Sequence, residues 1–174
     1  MKKIAMLLAV VFVCAIGAFA QTPNFAGAWK LDTSKLDEQR AARIESQTIT
    51  VEQTAQELKS TTATVAKAAP AGGGGGQGPG GGGGFGGPVT YKLDGSEVTT
   101  ERDTPNGKMS LKTTAKVEGG KLNITTSSIG PDGTERKSIT IWELSADGKT
   151  LTVKATRPGR DGTPTTTESF YMKS

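Results

Sequence analysis

The chain predicts an all-β fold: an antiparallel up-and-down meander of about ten strands closing into a barrel. The first observation is a tight-turn signature repeated through the second half: Asp94-Gly95, Asn106-Gly107, Gly119-Gly120, Asp132-Gly133, Asp147-Gly148 and Asp161-Gly162. Successive pairs start 12, 13, 13, 15 and 14 residues apart, the length of one strand plus its turn. Such pairs suit hairpins, whose turns need the positive φ that glycine takes without a Cβ clash. The second is the make-up of the intervening runs, rich in Thr, Val and Ile with lysines between them; these residues fit a pleated, half-buried surface. The third is strand number. Ten strands with one dry face exceed what an open twisted sheet usually holds, and closure removes its unpaired edges. A two-sheet sandwich is the alternative.

The elements follow in order. Residues 1–20 have the form of a signal peptide: basic Lys2 and Lys3, an apolar run over 4–16, then Ala18-Phe19-Ala20 before Gln21. The run is shorter than the ~20 apolar residues of a membrane span, and no later run approaches that length. Cys14 invites a lipid-anchor reading, but the preceding Val13 is not the small residue that lipidation wants. Cleavage after Ala20 removes the one cysteine and leaves a 154-residue domain over 21–174 (174 − 20). Such a domain folds by packing alone, exported to the periplasm or the medium.

The first strand covers 24–31. Over 33–45 alternation stops, and Leu36, Ala41 and Ile44 stand among charges; Ser34 followed by Asp37 has the form of a capping box, so a short helix is expected. Strands two and three cover 47–53, with Ile49 and Val51 on one face, and 58–66. Residues 71–88 hold 13 of the 24 glycines. The stretch matches a phosphate-loop pattern many times, yet has no Lys-Ser/Thr ending and opens no helix, so it reads as a flexible loop. Lengthening a hairpin loop from four residues to 18 adds only about 1.3 kcal/mol of closure entropy. The remaining strands cover 89–93, 97–102, 108–117, 121–128, 134–144, 150–157 and 163–173. A two-residue turn at Gly119-Gly120 sets Glu118 opposite Lys121, Val117 opposite Leu122, Ala115 opposite Ile124 and Thr113 opposite Thr126. The eighth strand is apolar on both faces at Ile139, Ile141, Trp142 and Leu144, which leaves two readings: a bulge, or a covered outer side.

Phe25-Ala26-Gly27-Ala28-Trp29 resembles the Gly-x-Trp opening of the lipocalins and related calycins. The succession of one strand, a short helix and a meander resembles the ten-strand fatty-acid-binding-protein variant. FAGAWKLDTSK, ITVEQ, YKLDGSE and WELSADGKTLTV together resemble exported, uncharacterised bacterial proteins described as lipocalin-like. The resemblance implies that Gly27 allows a tight start to the strand and that Trp29 plugs the closed end against a last-strand arginine. The Thr-Asp-Tyr-like turn and the final-strand arginine of lipocalins are absent, and Arg157 on the ninth strand is the substitute for the latter.

The chemistry available is narrow. The chain has no histidine, and cleavage leaves no cysteine. The neutral-pH proton shuttle, the thiol nucleophile and the common zinc, copper and haem ligands are therefore missing, and no cofactor or metal site is expected. Glu135, Glu143 and Glu168 lie on strands as solvated charges; a carboxylate acting as general acid near neutrality needs deep burial that their neighbours do not offer. Ser34-Lys35 lacks nucleophile spacing. The turn aspartates stand alone, unlike calcium loops. Without Lys2 and Lys3 the formal charge is +2 (19 basic, 17 acidic), and 5% aromatic content gives no stacking platform, so nucleic acid is not an expected partner. Lys108, Lys112 and Lys116 form a stripe on the wet face of the sixth strand.

What remains is an interior. Tyr91, Met109, Leu111, Ile124 and Val153 are the candidate lining residues, above Trp29, with Thr113, Ala115 and Thr126 at other inward places. Such a lining suits a small amphipathic ligand better than a long alkyl chain. The expected function is non-catalytic binding of that ligand. The alternative is a secreted or envelope-associated protein-interaction module with a filled core, whose protein partner the sequence does not specify.

Overall fold

The computed structural model describes residues 22–68, 88–104, 107–129, 133–159 and 162–174. Residues 1–20, expected to form a signal peptide, and the Gly-rich loop apart from Pro88 lie outside these residues. Ten strands form one antiparallel sheet: β1 (Gly27–Leu31), β2 (Ile44–Gln53), β3 (Glu57–Ala66), β4 (Val89–Lys92), β5 (Val98–Thr104), β6 (Gly107–Glu118), β7 (Lys121–Ile129), β8 (Glu135–Leu144), β9 (Thr150–Pro158) and β10 (Pro164–Lys173). Their spatial order is β4-β3-β2-β1-β10-β9-β8-β7-β6-β5. First and last strands pair, with Trp29 opposite Lys173 and Leu31 opposite Tyr171, so the sheet curls into a near-closed barrel.

The β6–β7 hairpin has the expected register, from Glu118–Lys121 through Val117–Leu122 and Ala115–Ile124 to Thr113–Thr126. Gly119 and Gly120 take φ of 58° and 77°, the left-handed values that their two-residue turn requires.

Three expectations are corrected. Asp94-Gly95 makes a turn, with the Asp94 carboxylate accepting from the Ser96 backbone at 2.8 Å, but β4 and β5 do not pair across it. The turn leans instead on β6, through an Asp94–Lys116 bridge and a Gly95 N–H bond to the Ala115 carbonyl. The barrel therefore closes between β1 and β10 and parts between β4 and β5. The short helix expected after β1 is present as α1 over Glu38–Ala41, with a 3-10 turn over Thr33–Lys35 before it and Leu36 extended between them; what changes is the cap. The caps are Asp32 and Asp37 rather than Ser34, because each carboxylate lies at the foot of its own turn. Among the described residues β8 has neither bulge nor cover. Its register is continuous on both sides, and Ile139 and Ile141 point outward, Ile139 being 42% exposed.

The lower half of the barrel is solid. Phe25, Trp29, Leu58, Leu122 and Leu151 are buried there with Val51, Ala115 and Trp142. The chain before β1 forms the plug: Phe25 sits edge-on to Trp142 with ring centroids 6.0 Å apart, and its N–H donates to Gln53 Oε1. Outside, Lys108, Lys112 and Lys116 each pair with a glutamate, as do Lys121 with Glu143 and Lys154 with Glu168. Solvated ion pairs, across to β5 for Lys108, to Glu97 just before β5 for Lys112 and along β6 itself for Lys116, account for the lysine stripe.

Candidate ligand-binding cavity

Above the floor the interior is hollow. A cavity of about 600 Å³ lies between the walls and opens at the end where β2, β4, β6, β8 and β10 begin. It exists because the strands alternate: inward positions near the floor carry large apolar side chains, whereas those above carry Ser, Thr and Ala, too small to meet across the barrel.

Tyr91, Met109, Leu111, Ile124 and Val153 all border this cavity. Trp29 lies beneath it, fully buried, its Nε1 donating to the Phe25 carbonyl at 2.8 Å. Thr126 lines the cavity, whereas Ala115 belongs to the packed core and Thr113 bonds sideways to Thr126. Arg157 does not meet Trp29. It stands on the cavity wall, and Lys173 takes the expected cation's place, with Nζ 5.3 Å from the Trp29 ring centroid. The cause is register: Trp29 opposes Lys173 on β10, while Arg157 opposes Thr165 far along the same strand.

The sequence reading missed the polar half of the site. α1 lies at the opening, and Arg40 ties it to β10: Nη2 donates to Ser169 Oγ at 2.9 Å and Nη1 to the Glu168 carbonyl at 3.3 Å. Deeper, the Tyr171 hydroxyl donates to Gln47 Oε1 at 2.7 Å, and Gln47 Nε2 donates to Thr64 Oγ1 at 2.7 Å. Burial pushes the Tyr171 phenol up to about 12, against the opposing influence of the Arg40 guanidinium. Tyr91 is raised for the same reason, against a bond from Ser60. Arg43, Arg136 and Arg157 complete the rim. Among the described residues that line the cavity none is Asp or Glu, and among all described residues no cluster of metal-ligating side chains occurs. Glu143 and Glu168 face outward in their ion pairs. One signal for the rim was legible: a strand arginine in phase with inward apolar residues, as Arg157 is with Val153 and Ala155.

No family model and no curated protein matches the sequence. Solved structures do. Apo lipid binding protein 8 of Caenorhabditis elegans superposes with a TM-score of 0.53 at 12% identity, over 86% of this chain and 95% of that one. Fatty-acid-binding protein 1 of Echinococcus granulosus gives 0.49 at 12% identity, over 86% and 96%. The fatty-acid-binding protein of Manduca sexta gives 0.43 at 15% identity, over 86% and 99%. The nematode structure spans nearly the whole barrel, and the likeness is one of fold: this chain is an all-β, calycin-like barrel of the fatty-acid-binding-protein type.

Proposed function

We propose that the barrel binds a small, partly apolar molecule in its cavity and releases it unchanged, acting outside the cytoplasm after removal of residues 1–20. The observation that carries this reading is the hollow of about 600 Å³, bordered by Ile49, Leu111, Ile124, Trp142 and Val153 together with serine and threonine hydroxyls. That size and mixture fit a small amphipathic ligand. The shared fold with a protein described as lipid binding supports it. Binding without turnover agrees with a chain that lacks histidine and keeps its glutamates on the outer wall.

Native mass spectrometry of the protein purified from its own host tests this. One small molecule retained per chain, and lost on denaturation, is the expected result. A bare chain in complex with a stoichiometric protein would instead favour the alternative, an interaction module. The hollow interior weighs against that alternative, which expects continuous filling. Export has its own test: the secreted or periplasmic form begins at Gln21.

A further inference from the structure

The two ends of the sheet face each other across a notch. β4 and β5 stand at opposite ends of the strand order, and among the described residues each pairs on one edge only, β4 with β3 and β5 with β6. At its lower end the notch is shut, because Asp94 and Gly95 bond past β5 to Lys116 and Ala115 of β6. Above that point it runs up to the mouth. β4 has only four residues, and shortness is one ordinary guard for an edge. β5 has no such guard. It runs for seven residues, holds no proline and keeps a continuous register with β6. Its acidic side chains turn away from the notch: Glu101 reaches back to Lys108 at 3.4 Å, and Glu97, just before the strand, to Lys112 at 3.2 Å. An edge of about 23 Å, at ~3.3 Å per residue, thus carries backbone N–H and C=O groups that no described strand takes up.

We propose that this notch is a docking site for an extended peptide, which adds to the barrel as a strand antiparallel to β5. A row of backbone donors and acceptors at strand spacing is matched by another extended backbone. The occupant is a single strand, because the free edge of β5 points at β4. The edge strand of a second barrel would bring its own neighbour with it, and β4 stands where that neighbour would go. Side-chain phase sets the sequence of the peptide. Toward the interior the banks carry Val89 and Tyr91 on β4, and Val98 on β5 with Met109 and Leu111 of β6 behind it. Toward solvent they carry Thr90, Lys92, Thr99 and Glu101, all exposed. A peptide of about seven residues with alternate apolar and polar side chains fits both faces, its apolar set closing the side of the barrel. β4 and β5 run in opposite directions, so a peptide antiparallel to β5 lies parallel to β4; the antiparallel ladder, on the longer strand, is the stronger. The inference goes beyond the cavity-binding reading and does not depend on it.

A fluorescein-labelled peptide, Lys-Thr-Val-Thr-Val-Thr-Val-Thr-Lys with blocked ends, tests it by fluorescence anisotropy. In such a strand the valine amides face one bank and the threonine amides the other, so N-methylation of one set blocks one ladder. Saturable binding with a Kd of about 1 mM or tighter is expected. Methylation of the set that faces β5 should weaken it about tenfold or more, the effect of losing several backbone bonds at once. Amide exchange in β5 should slow when the peptide is added, while that in β8 and β9 stays as it was. The proposal is overturned if the peptide fails to bind, if neither methylated form binds more weakly than the parent, or if exchange in β5 ignores the bound peptide. A dimer whose β5 amides are protected before any peptide is added overturns it as well, since the edge then belongs to a second copy of the chain. N-phenylnaphthylamine, an uncharged fluorescent probe, reports the hollow separately. Probe binding without peptide binding defeats strand addition alone; peptide binding without probe binding defeats the cavity reading alone.

Discussion

Gly27 and Trp29 show how much one residue can fix. Gly27 holds a φ of 134°, and a Cβ there would lie 3.2 Å from Lys173 Cε. The lysine's flexible end can yield, so the cost of Gly27→Ala is backbone strain, about 1–3 kcal/mol, read as a lower denaturation midpoint in urea. The same lysine lies over the Trp29 ring, the place that the resemblance gave to Arg157. The sequence supplies the tryptophan and the resemblance implies a cation against it, but choosing the cation requires the β1–β10 register, which no local pattern encodes. The two tyrosines make a second prediction. Both phenols are raised by burial, Tyr171 to about 12 against 10 unfolded. An acid whose folded pKa lies above its unfolded value keeps its stabilisation up to pH 10. It loses it as the pH climbs from 10 to about 12, because the unfolded chain releases its proton first. Tyrosinate absorbance should therefore begin to rise only above pH 10, and Tyr171→Phe should flatten the fall of the melting temperature across that window.

Among the elements, the hairpins were the most legible, and β6–β7 could be registered residue by residue because period-two alternation leaves one solution with a dry face. α1 and the β4–β5 parting were less so. Asp32, Ser34 and Asp37 offer competing caps within six positions, and only the path of the chain over the mouth selects among them. Asp94-Gly95 has the composition of a hairpin turn, yet composition does not say whether the flanking strands pair with each other or with a third. The tie between α1 and β10 is testable: Arg40→Ala removes the bonds to Ser169 and Glu168. Faster amide exchange in α1, with the floor strands unchanged, is the expected result. The outer ion pairs behave oppositely. Glu143→Gln and Glu168→Gln each break an exposed pair, so each should cost less than about 1 kcal/mol and leave probe binding unaltered.

At the scale of the molecule, the single barrel has two halves, one solid and one hollow. Leucines of the same chemistry report the difference. Leu151 is fully buried in the floor, and Leu151→Ala should cost 2–5 kcal/mol, the usual range where a packed site cannot collapse; these figures are about right for any sealed leucine. Leu111 already faces the cavity on one side, so Leu111→Ala should cost about half as much or less in the same urea titration. That the chain forms one barrel was legible from strand count and turn spacing. Whether its interior is empty was not, because emptiness depends on how far apart small inward residues such as Ser138, Thr140 and Ala155 end up, a distance set by closure. The arginine rim escaped for a related reason: Arg40, Arg43, Arg136 and Arg157 converge only when α1 and the β8–β9 wall are brought to the same opening. The most direct measurement is a crystal structure of the protein grown with N-phenylnaphthylamine. The account predicts one probe per barrel, its rings between Trp142, Ile124 and Met109; probe density confined to the outer wall beside Ile139, with side chains filling the interior, would contradict it.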